Sequence, residues 1–266
     1  MMIEAMCALP ARNRGIPSTD TRAVKLLAIP ASHPCAAVEA MLQAKGVRYR
    51  RVDLFPAFSR AWLRLTGFSG GTVPALRVGV ERVQGSRAIG RWLDEHRPEP
   101  PFSPSNEEIE DWADGPLQDA ARHLILWVLV HDRHAVAAAL DGARLQFRTP
   151  VWIARLTAGP VIRLDARINH VTDASVRGYV ASLPALLERI DAWIATGEVG
   201  GDPPSTADYL VAGSVRLLLA FDDLAPLMRD RPAAQLAHRL IPSFPGYVAA
   251  GALPGLISQP HPELGS

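Results

Sequence analysis

Hydrophobic residues in the first third of the chain switch repeatedly between two spacings. Residues 24–29 form a short apolar run that predicts a β-strand, and Val38, Met41 and Leu42 then recur on one face of a helix. A basic residue followed by a glycine, Lys45-Gly46, ends this helix. The pattern continues with predicted strands at 47–54, 73–78 and 81–84 and predicted helices at 59–65 and 86–95. The expected element order is therefore β-α-β-α-β-β-α.

After residue 106 nearly all apolar residues follow a helical period. The strongest helical patterns lie at 186–194, 206–221 and 232–240, and no strand pattern interrupts them. The sequence thus predicts an α/β domain followed by an all-α domain, a helical bundle.

A proline-rich polar stretch separates the two halves of the chain and marks a domain boundary. Both ends of the chain are rich in proline and glycine and lack periodicity. We predict a disordered extension at 1–22, an α/β domain at 23–97, a linker at 98–106, a helical domain at 107–254 and a loose tail at 255–266.

The composition is that of a globular protein, with 48% hydrophobic and 21% charged residues and a formal net charge of +1. This near-neutral balance gives no electrostatic footprint for nucleic acid. No apolar run approaches the roughly 20 residues needed to span a bilayer. Cys7 and Cys35 form neither a metal-ligand spacing nor a disulfide framework, which indicates a reducing, cytoplasmic compartment and no metal site.

The most informative motif is Ser32-His33-Pro34-Cys35, at the junction of the first predicted strand and the first helix. The N–H groups and the dipole of a helix N-terminus attract an anion, and Pro34 fits the first turn. A hydrogen bond from Ser32 would stabilise a thiolate further, whereas the alternative is an ordinary N-cap serine. The motif therefore predicts either a thiolate site or a plain helix cap.

Two neighbours of Ser32 have alternative interpretations of their own. His33 either assists proton transfer or faces solvent. Cys35 is either a reactive thiol or a small buried apolar side chain, and the lack of a cysteine at position 32 favours the buried side chain.

A second motif, Thr72-Val73-Pro74-Ala75-Leu76, places a proline at the start of a predicted strand. A cis Val73–Pro74 bond would turn the N–H and C=O groups of Val73 outward, where an extended peptide ligand pairs like an added strand. The alternative is a trans proline on an edge strand.

A third motif is Gln84-Gly85-Ser86-Arg87-Ala88-Ile89, at the start of the last helix of the α/β domain. Ser86 is the expected N-cap residue, so free N–H groups beside it would bind a carboxylate without a cationic side chain. The alternative is a helix cap with no ligand.

The three motifs occur in order on one β-α-β-α-β-β-α unit, and there the sequence resembles the glutathione S-transferase superfamily, over about residues 23–255. The resemblance implies an N-terminal thioredoxin-like domain that binds glutathione and a helical domain that completes the second-substrate pocket.

By this resemblance, Ser32 corresponds to the catalytic serine of serine-type members. Val73-Pro74 corresponds to the cis-proline turn that pairs with the cysteinyl part of glutathione. Ser86 corresponds to the serine that holds the γ-glutamyl carboxylate. Ser205-Thr206-Ala207-Asp208 resembles the family's buried capping box, a structural feature.

The resemblance assigns Ser32 as the catalytic residue, with these glutathione-binding residues: His33, Pro34, Val73, Pro74, Gln84, Ser86 and Arg87. Gly85 departs from the family, which usually has an acid or glutamine before this serine, and Gln84 substitutes for it if the turn is shifted. In the helical domain, Trp112 and Trp127 either line an apolar second-substrate pocket or belong to the core.

The implied function is that of a cytoplasmic glutathione transferase, a homodimer with glutathione as cosubstrate and a small electrophile as second substrate. The bound thiolate attacks an electrophilic carbon, and the polar pocket supplies the catalysis. Two alternatives stay open. A thiol-dependent isomerase or reductase usually needs a cysteine at position 32, and a non-catalytic binding protein is consistent with Gly85.

Overall fold

The computed structural model describes residues 24–55, 58–141 and 151–253. The predicted extension at 1–22 and tail at 255–266 lie outside these residues. The α/β part has the predicted order of elements, namely β1 (Val24–Ala28), α1 (His33–Ala44), β2 (Arg50–Asp53), α2 (Ser59–Leu65), β3 (Ala75–Val78), β4 (Glu81–Gln84) and α3 (Ser86–His96). Its four strands form one mixed sheet in the order β2-β1-β3-β4, with β1 and β2 parallel and the other pairs antiparallel.

Three predicted boundaries differ from the structure. The strand predicted at 47–54 is shorter, because only Arg50–Asp53 pair with β1. The strand predicted at 73–78 begins at Ala75, so Val73-Pro74 lies just before it. The predicted N-cap role of Ser86 is wrong, because Gly85, with a positive φ of 93°, occupies the N-cap position and Ser86 is the first helical residue.

The second half of the described chain is helical, as predicted. It contains α4 (Glu107–Trp112), a π-helical turn (Ala113–Leu117), α5 (Gln118–His131), α6 (Arg133–Ala139), α7 (Val151–Ile168), α8 (Asp173–Thr196), α9 (Thr206–Leu218), a short 3-10 turn (Asp222–Leu224), α10 (Ala225–Met228) and α11 (Pro232–Leu240). Within the described ranges, none of the helices combines the length and apolarity that crossing a bilayer requires.

Helix α9 is the central element of the fold, and most of its side chains are buried. It begins with the predicted capping box: the Ser205 hydroxyl accepts a hydrogen bond from the Asp208 N–H, and Asp208 accepts one from the Ser205 N–H. Along its length α9 packs against α1, and one buried core includes side chains from both domains. The two domains therefore share a core, which fixes the first turn of α1 against the helical bundle.

Gly213 sets the spacing between α9 and α1. A Cβ at this position would lie 2.9 Å from the carbonyl oxygen of His33 and 3.1 Å from the Cβ of Ala37. Only a residue without a side chain permits this close approach, which holds the Ser32-His33 turn against the helical domain.

We expect Gly213→Ala to lower the free energy of unfolding by about 1–3 kcal/mol, because the new methyl group meets backbone that cannot rotate away. Gly178→Ala is the matched control, since Gly178 is an exposed residue of α8 with no neighbouring atom within 4 Å. That control is expected to raise the free energy of unfolding by about 0.5–1 kcal/mol through helix propensity. Urea unfolding measures both values, and equal effects of the two substitutions would contradict the close packing.

Candidate active site

The three motifs meet at one end of the sheet. Leu27 of β1 pairs with Ala75 of β3, and Ala75 pairs with Gln84 of β4. The chain leaves β1 at this end toward Ser32, enters β3 here from Val73-Pro74, and leaves β4 here toward Ser86. The register of the antiparallel pairs therefore brings together segments that are far apart in sequence.

Ser32 occupies the N-cap position of α1, but its hydroxyl caps no backbone N–H group. Its carbonyl accepts a hydrogen bond from the Ala36 N–H at 3.0 Å, and its own N–H donates to the Ile29 carbonyl at 3.3 Å. The preceding residue, Ala31, has a positive φ of 55° that turns the chain sharply into the helix. The hydroxyl thus does not take the capping role that was the alternative interpretation, and it lies at a helix N-terminus, which favours an anion.

Cys35 is completely buried, and its role as a small core side chain is the interpretation that fits. Burial raises the pKa of the Cys35 thiol to about 11, although a hydrogen bond from the Ser32 side chain acts in the opposite direction. The thiol is therefore protonated near neutral pH and is not a nucleophile.

His33 points into the protein rather than toward solvent, with only 6% of its surface exposed. Burial, and then the positive charge of Arg122, lower the pKa of the His33 imidazole to about 3. No hydrogen-bond partner for its buried Nε2 atom is found among the described residues. A neutral imidazole of this kind does not exchange protons near neutral pH, so the predicted assistance to proton transfer is not supported by its environment. Pro34 lies in the first turn of α1, as predicted.

The Val73–Pro74 peptide bond is cis, so the alternative of a trans proline is wrong, while the pairing with a ligand stays a prediction. The Pro74 carbonyl accepts a hydrogen bond from the Gly85 N–H at 2.9 Å. Neither backbone polar group of Val73 has a hydrogen-bond partner in the part of the chain that the structure describes. These two groups are available to an extended ligand.

Gln84 holds the loop that precedes the cis-proline turn. Its Nε2 atom donates to the Thr72 carbonyl at 2.6 Å, and its Oε1 atom accepts from the Gly70 N–H at 2.8 Å. The amide thus positions the Val73-Pro74 turn from the neighbouring strand. A direct contact between Gln84 and glutathione stays a prediction.

Ser86 is 3% exposed and begins α3, whose N-terminus faces the same end of the sheet. The next residue, Arg87, turns away from this end and contacts the helical domain. Its Nε atom donates to Glu110 at 3.0 Å, and a terminal guanidinium nitrogen donates to Asp111. Arg87 thereby links α3 to α4, and its contact with glutathione stays a prediction.

Two charged side chains near the site, those of Arg51 and Glu110, have partners that the sequence interpretation did not predict. Arg51 bridges Glu39 and Asp53 below the Ser32 turn and donates to the Ile29 carbonyl at 3.4 Å. Glu110, which receives Arg87, is 2% exposed. The sequence shows for Arg51 and Glu110 only that residues of opposite charge occur elsewhere in the chain. Such residues are equally typical of a solvated surface, so they do not predict an ion pair. Among the described residues, no group of three or more His, Cys, Asp or Glu side chains is placed to hold a metal ion.

Comparison with known proteins agrees with this geometry. Residues 26–101 match the family model described as glutathione S-transferase, N-terminal domain. A search of curated proteins finds no match. The chain therefore contains a glutathione S-transferase N-terminal domain and has the fold of the glutathione S-transferase superfamily, as the resemblance in the sequence implied.

Several solved structures share this fold over most of the chain. The beta-etherase LigF from Sphingobium sp. strain SYK-6 superposes with a TM-score of 0.58 at 15% identity, covering 83% of this chain and 95% of its own. A glutathione S-transferase of Ceriporiopsis subvermispora, in complex with glutathione, gives 0.53 at 16% identity, covering 82% and 96%. A glutathione transferase from Phanerochaete chrysosporium gives 0.52 at 16% identity, covering 82% and 95%. At these identities the likeness establishes the fold alone.

Proposed function

We propose that this protein is a serine-type glutathione transferase, which binds glutathione and activates its thiolate for attack on a small electrophile. The observation that supports this most is the convergence of Ser32, Val73 and Ser86 at one end of the sheet. Glutathione would pair through its cysteinyl backbone with the unpartnered N–H and C=O groups of Val73. Its γ-glutamyl carboxylate would lie at the N-terminus of α3 beside Ser86. The co-crystallised glutathione of the Ceriporiopsis relative supports the choice of ligand.

Ser32 would stabilise the thiolate by donating a hydrogen bond, together with the N–H groups of the first turn of α1. The thiol proton leaves to solvent, and the sulfur forms a bond to the electrophilic carbon. A leaving group departs with its electron pair, or the substrate takes up a proton when the attack is an addition to a double bond. No covalent intermediate with the enzyme is involved, and the site lowers the barrier electrostatically.

A role as a reductase is disfavoured by the environment of Cys35, whose buried thiol has a pKa of about 11. The non-catalytic alternative rests on Gly85 and on the engaged amide of Gln84. In that case glutathione binds without activation of its thiol. We also propose a homodimer, which the resemblance implies, in the cytoplasm, which the cysteine content of the sequence indicates.

The test is a pH titration of the thiolate absorbance of bound glutathione in wild type, Ser32→Ala and Ser32→Thr. We expect the bound thiol pKa to rise by about 1–2 units in Ser32→Ala, because a hydrogen bond to a charged group contributes roughly 1.5–3 kcal/mol. Turnover with an aryl halide near neutral pH should fall about 10- to 100-fold in the same variant. Ser32→Thr retains the hydroxyl and should retain most of both properties.

Two other results of this titration would contradict the proposed function. Binding with no pKa difference between wild type and Ser32→Ala would support the non-catalytic alternative. No binding at about millimolar glutathione, an affinity of about 4 kcal/mol, would overturn the glutathione assignment.

A further inference from the structure

The turn that presents Ser32 has a backbone conformation that residues with a side chain rarely adopt. Ala31 has a positive φ of 55°, and among the described residues only one other non-glycine residue, His170, shares this property. A Cβ atom crowds the backbone in this left-handed region, so the conformation persists only where surrounding contacts hold it. Within the turn, the Ser32 N–H donates to the Ile29 carbonyl at 3.3 Å, which is long for a hydrogen bond. The turn therefore depends on contacts from outside it.

The side chain of Arg51 supplies such a contact from the neighbouring strand β2. Strands β1 and β2 are parallel, and their last residues, Ala28 and Asp53, are register partners. Both strands thus end at the edge of the sheet where the turn begins. From β2, Arg51 Nη2 donates to the Ile29 carbonyl at 3.4 Å. The Ile29 oxygen accepts from both the Ser32 N–H and the guanidinium, so this atom connects Arg51 to the turn.

All three nitrogen atoms of this guanidinium have partners, and the partners lie on three parts of the fold. Nε donates to Asp53 Oδ1 at 2.8 Å at the end of β2, Nη1 donates to Glu39 of α1, and Nη2 donates to the Ile29 carbonyl after β1. The side chains of Asp53 and Glu39 are only 5% and 19% exposed, so water competes little for these charged hydrogen bonds. A planar guanidinium can reach three directions at once, whereas a lysine ammonium on a flexible stem cannot reproduce this geometry.

Glu39 is itself held by a second contact. Its Oε1 atom accepts a hydrogen bond from the Tyr49 hydroxyl at 3.0 Å, while its Oε2 atom accepts from Arg51. Glu39 belongs to α1, the helix that has Ser32 at its N-cap position. The network of Tyr49, Glu39, Arg51 and Asp53 therefore ties α1 to β2, in addition to the contact at the turn itself. Both connections bear on the direction in which the N-terminus of α1 and the Ser32 hydroxyl point.

We propose that Arg51 is a positioning residue of the thiol site, which holds the Ser32 turn and α1 in the orientation that stabilises a bound thiolate. It acts through the Ile29 carbonyl and α1 and does not touch the ligand. Hydrogen bonds weaken steeply with distance and angle, so a small displacement of Ser32 reduces its effect on a charge. Among the described residues, none of the hydrogen bonds of Arg51 involves Val73 or Ser86, so ionisation of the thiol should depend on Arg51 more than binding of the peptide does. This inference rests on the proposed function.

The test separates ionisation of the bound thiol from binding of the peptide. A pH titration of the thiolate absorbance gives the pKa of bound glutathione, and calorimetry with S-methylglutathione, which has no thiol proton, reports binding alone. We expect Arg51→Lys to raise the bound-thiol pKa by about 0.5–1 unit and to lower turnover with an aryl halide near neutral pH about 3- to 10-fold. The affinity for S-methylglutathione should stay within about twofold of wild type. Because lysine keeps the positive charge, these changes report the loss of the guanidinium geometry.

A double-mutant cycle shows whether Arg51 acts through Ser32. In the Ser32→Ala background, Arg51→Lys should cause less than about a third of the pKa shift that it causes in wild type. Arg231→Lys is the matched control, since the Arg231 side chain is 26% exposed against 25% for Arg51. Arg231 pairs with Asp191 at 2.9 Å and donates to the Leu227 carbonyl at 3.1 Å, both in the helical domain. This control should leave the bound-thiol pKa unchanged.

A second, milder variant guards against a loss of folding. Urea unfolding establishes whether Arg51→Lys is folded under the conditions of the titration. Tyr49→Phe removes only the hydroxyl that holds Glu39, and the aromatic ring stays. It should shift the bound-thiol pKa in the same direction as Arg51→Lys, by roughly 0.3 units.

The outcomes separate this inference from the proposed function. A raised thiol pKa in Ser32→Ala, with an unchanged one in Arg51→Lys and Tyr49→Phe, would overturn the inference and leave the transferase proposal standing. Equal shifts by Arg51→Lys in the wild-type and Ser32→Ala backgrounds would also overturn it, because Arg51 would then act independently of Ser32. So would a loss of S-methylglutathione affinity as large as the loss of turnover. If S-methylglutathione does not bind the wild type at about millimolar concentration, the glutathione assignment and the inference both fail.

Discussion

Acidification is expected to lower the free energy of unfolding of this protein through His33 by on the order of 4–5 kcal/mol. This value corresponds to the full difference between the ordinary imidazole pKa of 6.5 and the folded-state pKa of about 3. In the unfolded chain this imidazole takes up a proton near its ordinary pKa of 6.5. In the folded protein, burial and the charge of Arg122 keep it neutral until the pH falls to about 3. The unfolded state binds more protons in this window, so the free energy of unfolding falls with the pH. The stabilisation is complete above pH 6.5 and is lost progressively below it.

Urea unfolding of wild type and His33→Gln at about pH 7 and about pH 4.5 isolates this contribution. Over that range the wild type should lose roughly 2.7 kcal/mol more than the variant, since two pH units separate about 4.5 from the unfolded pKa. Carboxylates titrate similarly in both proteins, so the difference between them reports His33. Parallel losses in the two proteins would show that the imidazole is not buried in its neutral form.

Removal of the Asp208 carboxylate is expected to lower the free energy of unfolding by about 3–5 kcal/mol. This side chain is 1% exposed and accepts hydrogen bonds from the Ser205 N–H at 2.6 Å, the Ser205 hydroxyl at 3.0 Å and the Gly200 N–H at 2.6 Å. Asp208→Ala leaves these donors without a partner at the start of the central helix α9. Guanidinium unfolding measures the loss.

The chain contains a matched control for this prediction, a second capping box formed by Thr172 and Ser175 at the start of α8. Its hydrogen bonds are exposed to solvent, so water replaces the lost partner in Ser175→Ala. That variant should lose only about 0.5–1 kcal/mol. Similar losses at both boxes would mean that burial does not determine the cost.

The environment of the candidate site fits thiolate chemistry performed on a bound ligand rather than on a protein thiol. Cys35 is buried and protonated, His33 is buried and neutral, and neither is suited to act as nucleophile or base near neutral pH. The Ser32 hydroxyl, which caps no backbone group, is the polar side chain left at the turn. This environment supports the proposed function, in which the charge to be stabilised is brought by the ligand.

Local sequence signals predicted the elements well because each depends on neighbouring residues. The apolar period identified α1, and Lys45-Gly46 marked its end, where Gly46 has a positive φ of 61°. The capping box at Ser205 and Asp208 was predicted from four residues and is confirmed. The cis form of Val73–Pro74 was one of two interpretations, since the base rate of trans proline opposes it.

Features that depend on packing were harder to predict. Ser86 was expected to be an N-cap because of its residue type, but the positive φ of Gly85 shifts the helix start by one residue. Arg87 was expected to contact the ligand, which stays a prediction, but its ion pair with the buried Glu110 of the other domain was not predicted. Neither outcome is encoded in adjacent residues, because a buried carboxylate and a surface carboxylate have the same sequence signature.

The sequence by itself determined the order of elements, the two-domain arrangement of fold classes and the three motifs that form the proposed thiol site. Periodicity, turn chemistry and capping are local, so they can be recognised in single segments. Only the tertiary structure decided which side chains lie near the site and whether their ionisable groups are charged or neutral. Gly213 brings α9 against the His33 backbone, and burial in the packed core lowers the pKa of the His33 imidazole so that it is neutral. Burial and long-range electrostatics depend on the whole packed core, and no segment of the chain specifies them alone.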